Sequence, residues 1–153
     1  MMVKAKKIKR QVGDVVEIQL QDGCVSYGIV LPHALFAFFD YHGPDRLNAA
    51  QAAQFPILFR LLVMDYSVMS GRWPVVGHID PSSDLLTEPT FFKQDPISKK
   101  FSLFIGGRDV PADRKDIEGL ERAAVWDPEH VEDRLMDHYA GRVNKWVESM
   151  KVV

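Results

Sequence analysis

The residues best suited to chemistry fall in small groups along the chain. Asp40-Tyr41-His42 and His78-Ile79-Asp80 each set an imidazole beside a carboxylate, the pairing a hydrolase uses to activate a nucleophile or a water. Both lie at the ends of apolar runs that read as strands, where catalytic groups are often placed and where side chains also simply meet water. No serine or cysteine in a nucleophile turn accompanies them, so hydrolysis would require Asp40, His42, His78 and Asp80 to share one cleft. On a C-terminal helix, His130 and Asp133 share a face, as do Glu129 and Asp133, with His138 a turn further on. No partner with metal-motif spacing appears elsewhere, and a solvated helix face is the favoured reading. Cys24 is the only cysteine, which excludes an internal disulfide and a thiolate-rich zinc site. With no basic neighbour in sequence to activate it, it reads as a small structural thiol. Gly106-Gly107 lacks the lysine or third glycine of a phosphate loop. No catalytic residue, cofactor or metal is expected.

Charge narrows the classes further. The net charge is −2, and because residues 1–10 carry five basic residues (Lys4, Lys6, Lys7, Lys9 and Arg10) and no acidic one, the remainder carries −7. An acidic body argues against a protein built to neutralise phosphates along a duplex. The basic arm over 1–10 has no aromatic residue to stack on a base, so it reads as a solubilising first strand or frayed terminus. Glu129, Asp133 and Asp137, at i, i+4 and i+8, form a row of carboxylates about one helical turn apart. That row is either a solvated face, its repulsion eased by Arg134 and Lys145, or a docking surface for a cationic partner.

These residues have to be positioned by a mainly antiparallel β framework. Val16, Ile18 and Leu20 alternate with Glu17 and Gln19, the period of a half-buried strand, and Asp22-Gly23 turns the chain into Val25, Tyr27, Ile29 and Leu31. Leu35 to Tyr41 is apolar on both faces, as in a central strand covered on each side. A short helix follows over Leu47 to Gln54, then a long strand over Ile57 to Tyr66, a Ser70-Gly71 turn and a strand over Trp73 to Ile79. Asp80 to Asp95, punctuated by prolines and serines, reads mostly as loop, and Phe101 to Ile105 as a strand ended by Gly106-Gly107. Asp127 as N-cap and Pro128 at the first position start a helix of about 128–150. Its stripe of Val131, Leu135, Tyr139, Val143, Trp146 and Met150 should pack on the sheet. The expected fold is therefore α+β in one domain over 11–153, either a twisted sheet or an SH3-like partly open barrel, with a short middle helix and a C-terminal helix on the sheet. No apolar run approaches the roughly 20 residues of a membrane helix, and no apolar signal segment follows the basic start, so a cytoplasmic address is expected.

The segment Gly13 to Leu20, the Asp22-Gly23 turn and Tyr27-Gly28-Ile29-Val30-Leu31 resemble the start of immunity protein 26 domains. Met64-Asp65-Tyr66 with Ser70-Gly71-Arg72-Trp73-Pro74-Val75-Val76-Gly77 is similar to the turn and strand in the middle of that family, and Val125-Trp126 lies where its last tryptophan is expected. The resemblance spans most of residues 11 to 126. It implies a mainly β antitoxin, encoded beside a bacterial polymorphic toxin that is often a nuclease, which it binds and neutralises inside the producing cell. No catalytic residues carry over. Such a protein acts by burying a matched surface of roughly 800 Å² per partner around a few aromatic or arginine anchors. Tyr41, Tyr66, Arg72 and Trp73, at strand ends or turns, are the anchor candidates beside the acidic row Glu129, Asp133 and Asp137, with core or edge packing the favoured role for Trp73. The competing readings are a nucleic-acid-binding SH3-like barrel, whose affinity would fall steeply with salt, and the four-residue hydrolase.

Overall fold

The structure, a computed structural model, describes residues 9–152. Lys4, Lys6 and Lys7 of the basic arm lie outside the described residues. Arg10 lies within them and is docked: it donates a hydrogen bond to the Leu35 carbonyl (2.8 Å) and its guanidinium covers the Phe36 ring at 5.1 Å.

The opening hairpin forms as its alternation and turn dictate, with β1 (Asp14–Gln19) antiparallel to β2 (Val25–Val30). β3 (Leu35–Gly43) pairs with β2, and β4 (Ile57–Val63) with β3. β5 (Val75–His78) adds to the free side of β1, and β9 (Val125–Trp126) runs parallel to β4, giving the order β5-β1-β2-β3-β4-β9. The two ends of this sheet are not paired to each other, so it is open. It is not a closed barrel, and it fits the twisted-sheet alternative.

Both faces of the sheet are covered. On one, Val16, Ile18, Phe36, Phe38, Leu61 and Val63 pack under Trp73, Trp126, Val131 and Leu135. On the other, Val15, Tyr27, Ile29, Ala37 and Phe39 pack under Ala49, Ala52 and Phe91. The half-buried reading of β1 therefore fails. Glu17, only 9% exposed, is enclosed and accepts a hydrogen bond from the Tyr27 hydroxyl (3.2 Å). The covering element is α1 (Ala49–Ala52), started by an Asn48–Gln51 capping box.

Two further readings change, and the strand expected over Phe101 to Ile105 forms and gains a hairpin partner. The long strand stops at Val63, and Tyr66 instead opens a one-turn helix, α2 (Tyr66–Met69). Residues 80–95 carry α3 (Ser83–Leu86) and β6 (Thr90–Gln94), and Gly106-Gly107 is the turn of a hairpin between β7 (Phe101–Ile105) and β8 (Arg108–Ala112). Both glycines have positive φ (55° and 79°), the requirement of a two-residue hairpin loop that matches the twist of its strands. β6, β7 and β8 form a second, three-stranded sheet that lends Phe91 to the core. A 3-10 helix over Arg114–Ile117 leads from it toward β9.

The C-terminal helix starts where expected, at α4 (Pro128–Ala140), but ends at Gly141, which is left-handed with φ 70°. A second helix, α5 (Lys145–Ser149), follows after a turn. Val143 is 75% exposed, so the apolar stripe does not run on as one face. No helix among the described residues is long and apolar enough to cross a membrane.

Candidate functional site

The hydrolase reading is decided by topology. His42 sits near the end of β3 that faces the β1–β2 turn, since Gly43 pairs with Val25 and Val25 with Gln19. His78 pairs with Asp14 at the opposite end of β1, and two strands separate β5 from β3. Strand spacings of about 4.8 Å and rises of about 3.4 Å per residue put the two imidazoles on the order of 20 Å apart. Each has its own carboxylates: His42 Nε2 lies 2.6 Å from Asp22 Oδ2, while His78 lies 3.2 Å from Asp14 and 3.3 Å from Asp80. Hydrogen bonding to Asp14, and then to Asp80, raises the His78 pKa above its ordinary value. Asp40 accepts a hydrogen bond from the Tyr139 hydroxyl (3.0 Å). The four groups share no cleft.

Three of the four anchor candidates, Tyr66, Arg72 and Trp73, come together with Glu129 of the acidic row, where α2 and the loop after it meet the first turns of α4. The assembly begins with Trp73. Its indole is fully buried, edge-on to Phe36 and Phe38 with ring centroids 5.7 and 5.8 Å away. A buried indole N–H needs an acceptor, and Nε1 donates to Glu132 Oε2 at 3.0 Å. The same carboxylate takes a two-pronged bond from Arg72, through Nε (2.8 Å) and Nη2 (3.0 Å). Glu129 Oε1 lies 3.5 Å from Arg72 Nη1 and its Oε2 accepts from the Tyr66 hydroxyl at 2.8 Å. Tyr66 also reaches Asp127 Oδ1 at 3.3 Å.

Electrostatics favour one protonation state of Tyr66, Arg72 and Glu129. The hydrogen bond to Glu129, then burial and the neighbouring carboxylate charges, push the Tyr66 phenol up to about 12. The Glu129 carboxylate is held below its usual range by its own backbone N–H in the first turn of α4 and by Tyr66. Bonding to Glu132 raises Arg72 further, so the cation persists at every working pH. The outer side of the network meets water. Tyr66 is 41% exposed, and the Arg72 and Glu129 side chains are 41% and 48% exposed. Met64 and Met69, flanking Tyr66 in sequence, are exposed as well.

The remaining candidates lie elsewhere. Tyr41 is half-buried between Tyr27 and Phe55, and its hydroxyl donates to the Asp45 carbonyl. Asp133 accepts from the Trp146 indole (3.1 Å), and Asp137 from Asn144 (2.9 Å) and Arg142 (3.3 Å). These two carboxylates hold α5 against α4, and Glu129 alone of the row sits in the exposed network. Arg134, expected to relieve the row, instead makes a two-pronged bond to Glu121 and covers Phe59 at 4.2 Å. Lys145 lies over the Trp146 ring. The residue that sequence reasoning missed is Glu132, which receives both Arg72 and Trp73. The signal was Arg72-Trp73, a guanidinium and an indole in need of one acceptor, but the choice among seven nearby acidic residues from Glu118 to Asp137 requires the fold.

Comparison with known families matches residues 11–103 to Immunity protein 26. The match takes in the opening hairpin and the Met64–Gly77 block; Val125-Trp126 lies beyond it. It ends inside β7, whereas the core continues through Trp126, Val131 and Leu135. Searches of curated proteins and of solved structures found no match.

Proposed function

Because the chain belongs to the immunity protein 26 family, and is thereby an immunity protein of a toxin system, we propose that it binds and neutralises one cognate polymorphic toxin, a nuclease, in the cytoplasm of the producing bacterium. It does so by surface complementarity and without catalysis. One feature supports a nuclease as the partner: residues 11–153 carry a charge of −7, complementary to a protein that must hold phosphates. A single thiol without a disulfide suits a reducing compartment.

The observation that carries the choice of face is the exposed Tyr66–Arg72–Glu129 network beside Met64 and Met69. Tyrosine and arginine are the residue types that dominate binding energy, and methionine adapts to an irregular partner. Here the tyrosine and arginine are already immobilised by Glu129 and Glu132, so docking costs them little side-chain entropy. Tyr41, enclosed by Tyr27 and Phe55, supports the fold, and Asp133 and Asp137 secure α5.

Co-expression with the product of the adjacent gene tests the proposal. That product is expected to arrest growth alone and to be retained on a column carrying this chain. Tyr66→Ala and Arg72→Ala should each weaken retention by about thirtyfold, the equivalent of a 2 kcal/mol anchor, with thermal melts confirming that both variants are folded. A neighbour that is neither toxic nor retained rejects the function. Retention unchanged in both variants rejects the face.

A further inference from the structure

At the tip of the β1–β2 hairpin, one ligand atom from each of Asp22, Cys24 and His42 lies within 4.8 Å of the others. The site is distinct from the Tyr66–Arg72 face, being beside Tyr139, about 10 Å further along α4 than Glu132. Local geometry explains the convergence. The Cys24 backbone N–H donates to Asp22 Oδ1 (3.0 Å), which fixes the carboxylate across the turn and turns Oδ2 toward His42 Nε2 (2.6 Å). His42 arrives from β3 through a bulge: Val25 pairs with Gly43 and Tyr27 with Phe39, so Ser26 alone stands opposite Asp40, Tyr41 and His42. The Ser26 hydroxyl pins that bulge by donating to the Tyr41 carbonyl. The His42 ring is then stacked on Tyr139 with centroids 4.7 Å apart and planes within 15°, and Tyr139 is itself tied to Asp40.

We propose that Asp22, Cys24 and His42 form a zinc-binding site of one carboxylate oxygen, one thiolate sulfur and one imidazole nitrogen, with the fourth tetrahedral position taken by water. These are the donor types zinc accepts, and the sulfur selects against magnesium and calcium. Bond lengths of about 2.0–2.3 Å place tetrahedral ligand atoms roughly 3.3–3.6 Å apart. The present arrangement reaches that with shifts of about an ångström, as Asp22 and His42 separate from their 2.6 Å contact and the thiol swings inward. On binding, the S–H bond breaks, the sulfur keeps the electron pair and its proton leaves to solvent, while the proton shared between His42 Nε2 and Asp22 Oδ2 also leaves Nε2, the neutral imidazole keeping its one N–H at Nδ1. The carboxylate and thiolate together then neutralise the dication. Stacking on Tyr139 and the Asx-type turn are contacts made outside the ligand set that orient its members beforehand. Exclusion of a thiolate-rich site by the single cysteine leaves this one-thiolate site open.

Titration of the reduced, untagged full chain with Co²⁺ tests the site. Because Cys24 is the sole thiol, a near-ultraviolet sulfur-to-cobalt band reports on it alone. The expected result is a band that saturates at one equivalent and is erased by Zn²⁺. Cys24→Ser should abolish the band, and both Cys24→Ser and His42→Ala should lower zinc affinity about tenfold or more in a chelator competition. If His42→Ala loses its fold with the Tyr139 stack, His42→Phe keeps a stacked ring without a ligand nitrogen and serves instead. Absence of the band with the thiol shown to be reduced, or zinc affinity unchanged across these variants, overturns the proposal.

Discussion

The Trp73 indole has its ring in the core and its N–H on Glu132, so it couples the packing of one face of the sheet to the orientation of Arg72. Trp73→Ala should destabilise the protein by about 3–5 kcal/mol, the range for removing a large buried aromatic. Urea denaturation checks this, and a loss below about 1 kcal/mol would mean the site collapses around the deletion. His78 carries a pH prediction. Its pKa is raised by hydrogen bonds to Asp14 and Asp80, so the charged imidazolium is the form the fold favours. The stabilisation is therefore complete below the ordinary histidine range and disappears as pH rises through the raised value. An NMR titration should find the His78 ring titrating above an exposed histidine, with Asp80→Asn moving it back down. A His78 ring that titrates at the ordinary value in both proteins contradicts the geometry.

At the level of elements, α5 is held against α4 by the Trp146 ring, stacked on His130 with centroids 3.7 Å apart, and by Asn144, which makes two contacts. The Asn144 side chain caps α5 by accepting from the Val147 N–H (3.0 Å) and donates to Asp137 (2.9 Å). Asn144→Ala should cost about 1–2 kcal/mol and free α5 locally. Hydrogen exchange should then accelerate at Val147 and Glu148 while amides of β2 and β3 keep their protection. Uniform acceleration would show instead that α5 and the sheet open together. The break before α5 also explains why the row of carboxylates differs from its expected form. A left-handed Gly141 reverses the chain and brings Trp146 and Asn144 back onto Asp133 and Asp137.

For the molecule as a whole, the sheet needs cover on both faces, and the cover comes from distant segments. Val131, Leu135 and Trp126 bury the same apolar surface as Val16, Phe36 and Leu61. A chain ended after Leu103, where the family match stops, exposes that surface and should fail to fold cooperatively. The expected readout is a melt without a sigmoidal transition and strong binding of a hydrophobic dye. A sharp two-state melt would show that residues 11–103 are self-sufficient.

What could be determined from the residues alone was whatever depends on neighbours in the chain. Alternation and the Asp22-Gly23 turn specify the first hairpin, unbroken apolarity specifies a doubly covered β3, and Asp127-Pro128 specifies the start of α4, because period and backbone preference are local properties. The two quoted blocks likewise marked the family. Local pattern could not show that Gly106-Gly107 continues into β8, whose Arg-Asp-Val-Pro-Ala run has little strand character and whose proline is tolerated at a sheet edge. Nor could it show which carboxylate would receive Arg72 and Trp73, or that a bulge would carry His42 to Asp22 and Cys24. Those pairings join residues many positions apart, and their geometry is decided only when the sheet, its bulge and α4 are packed together.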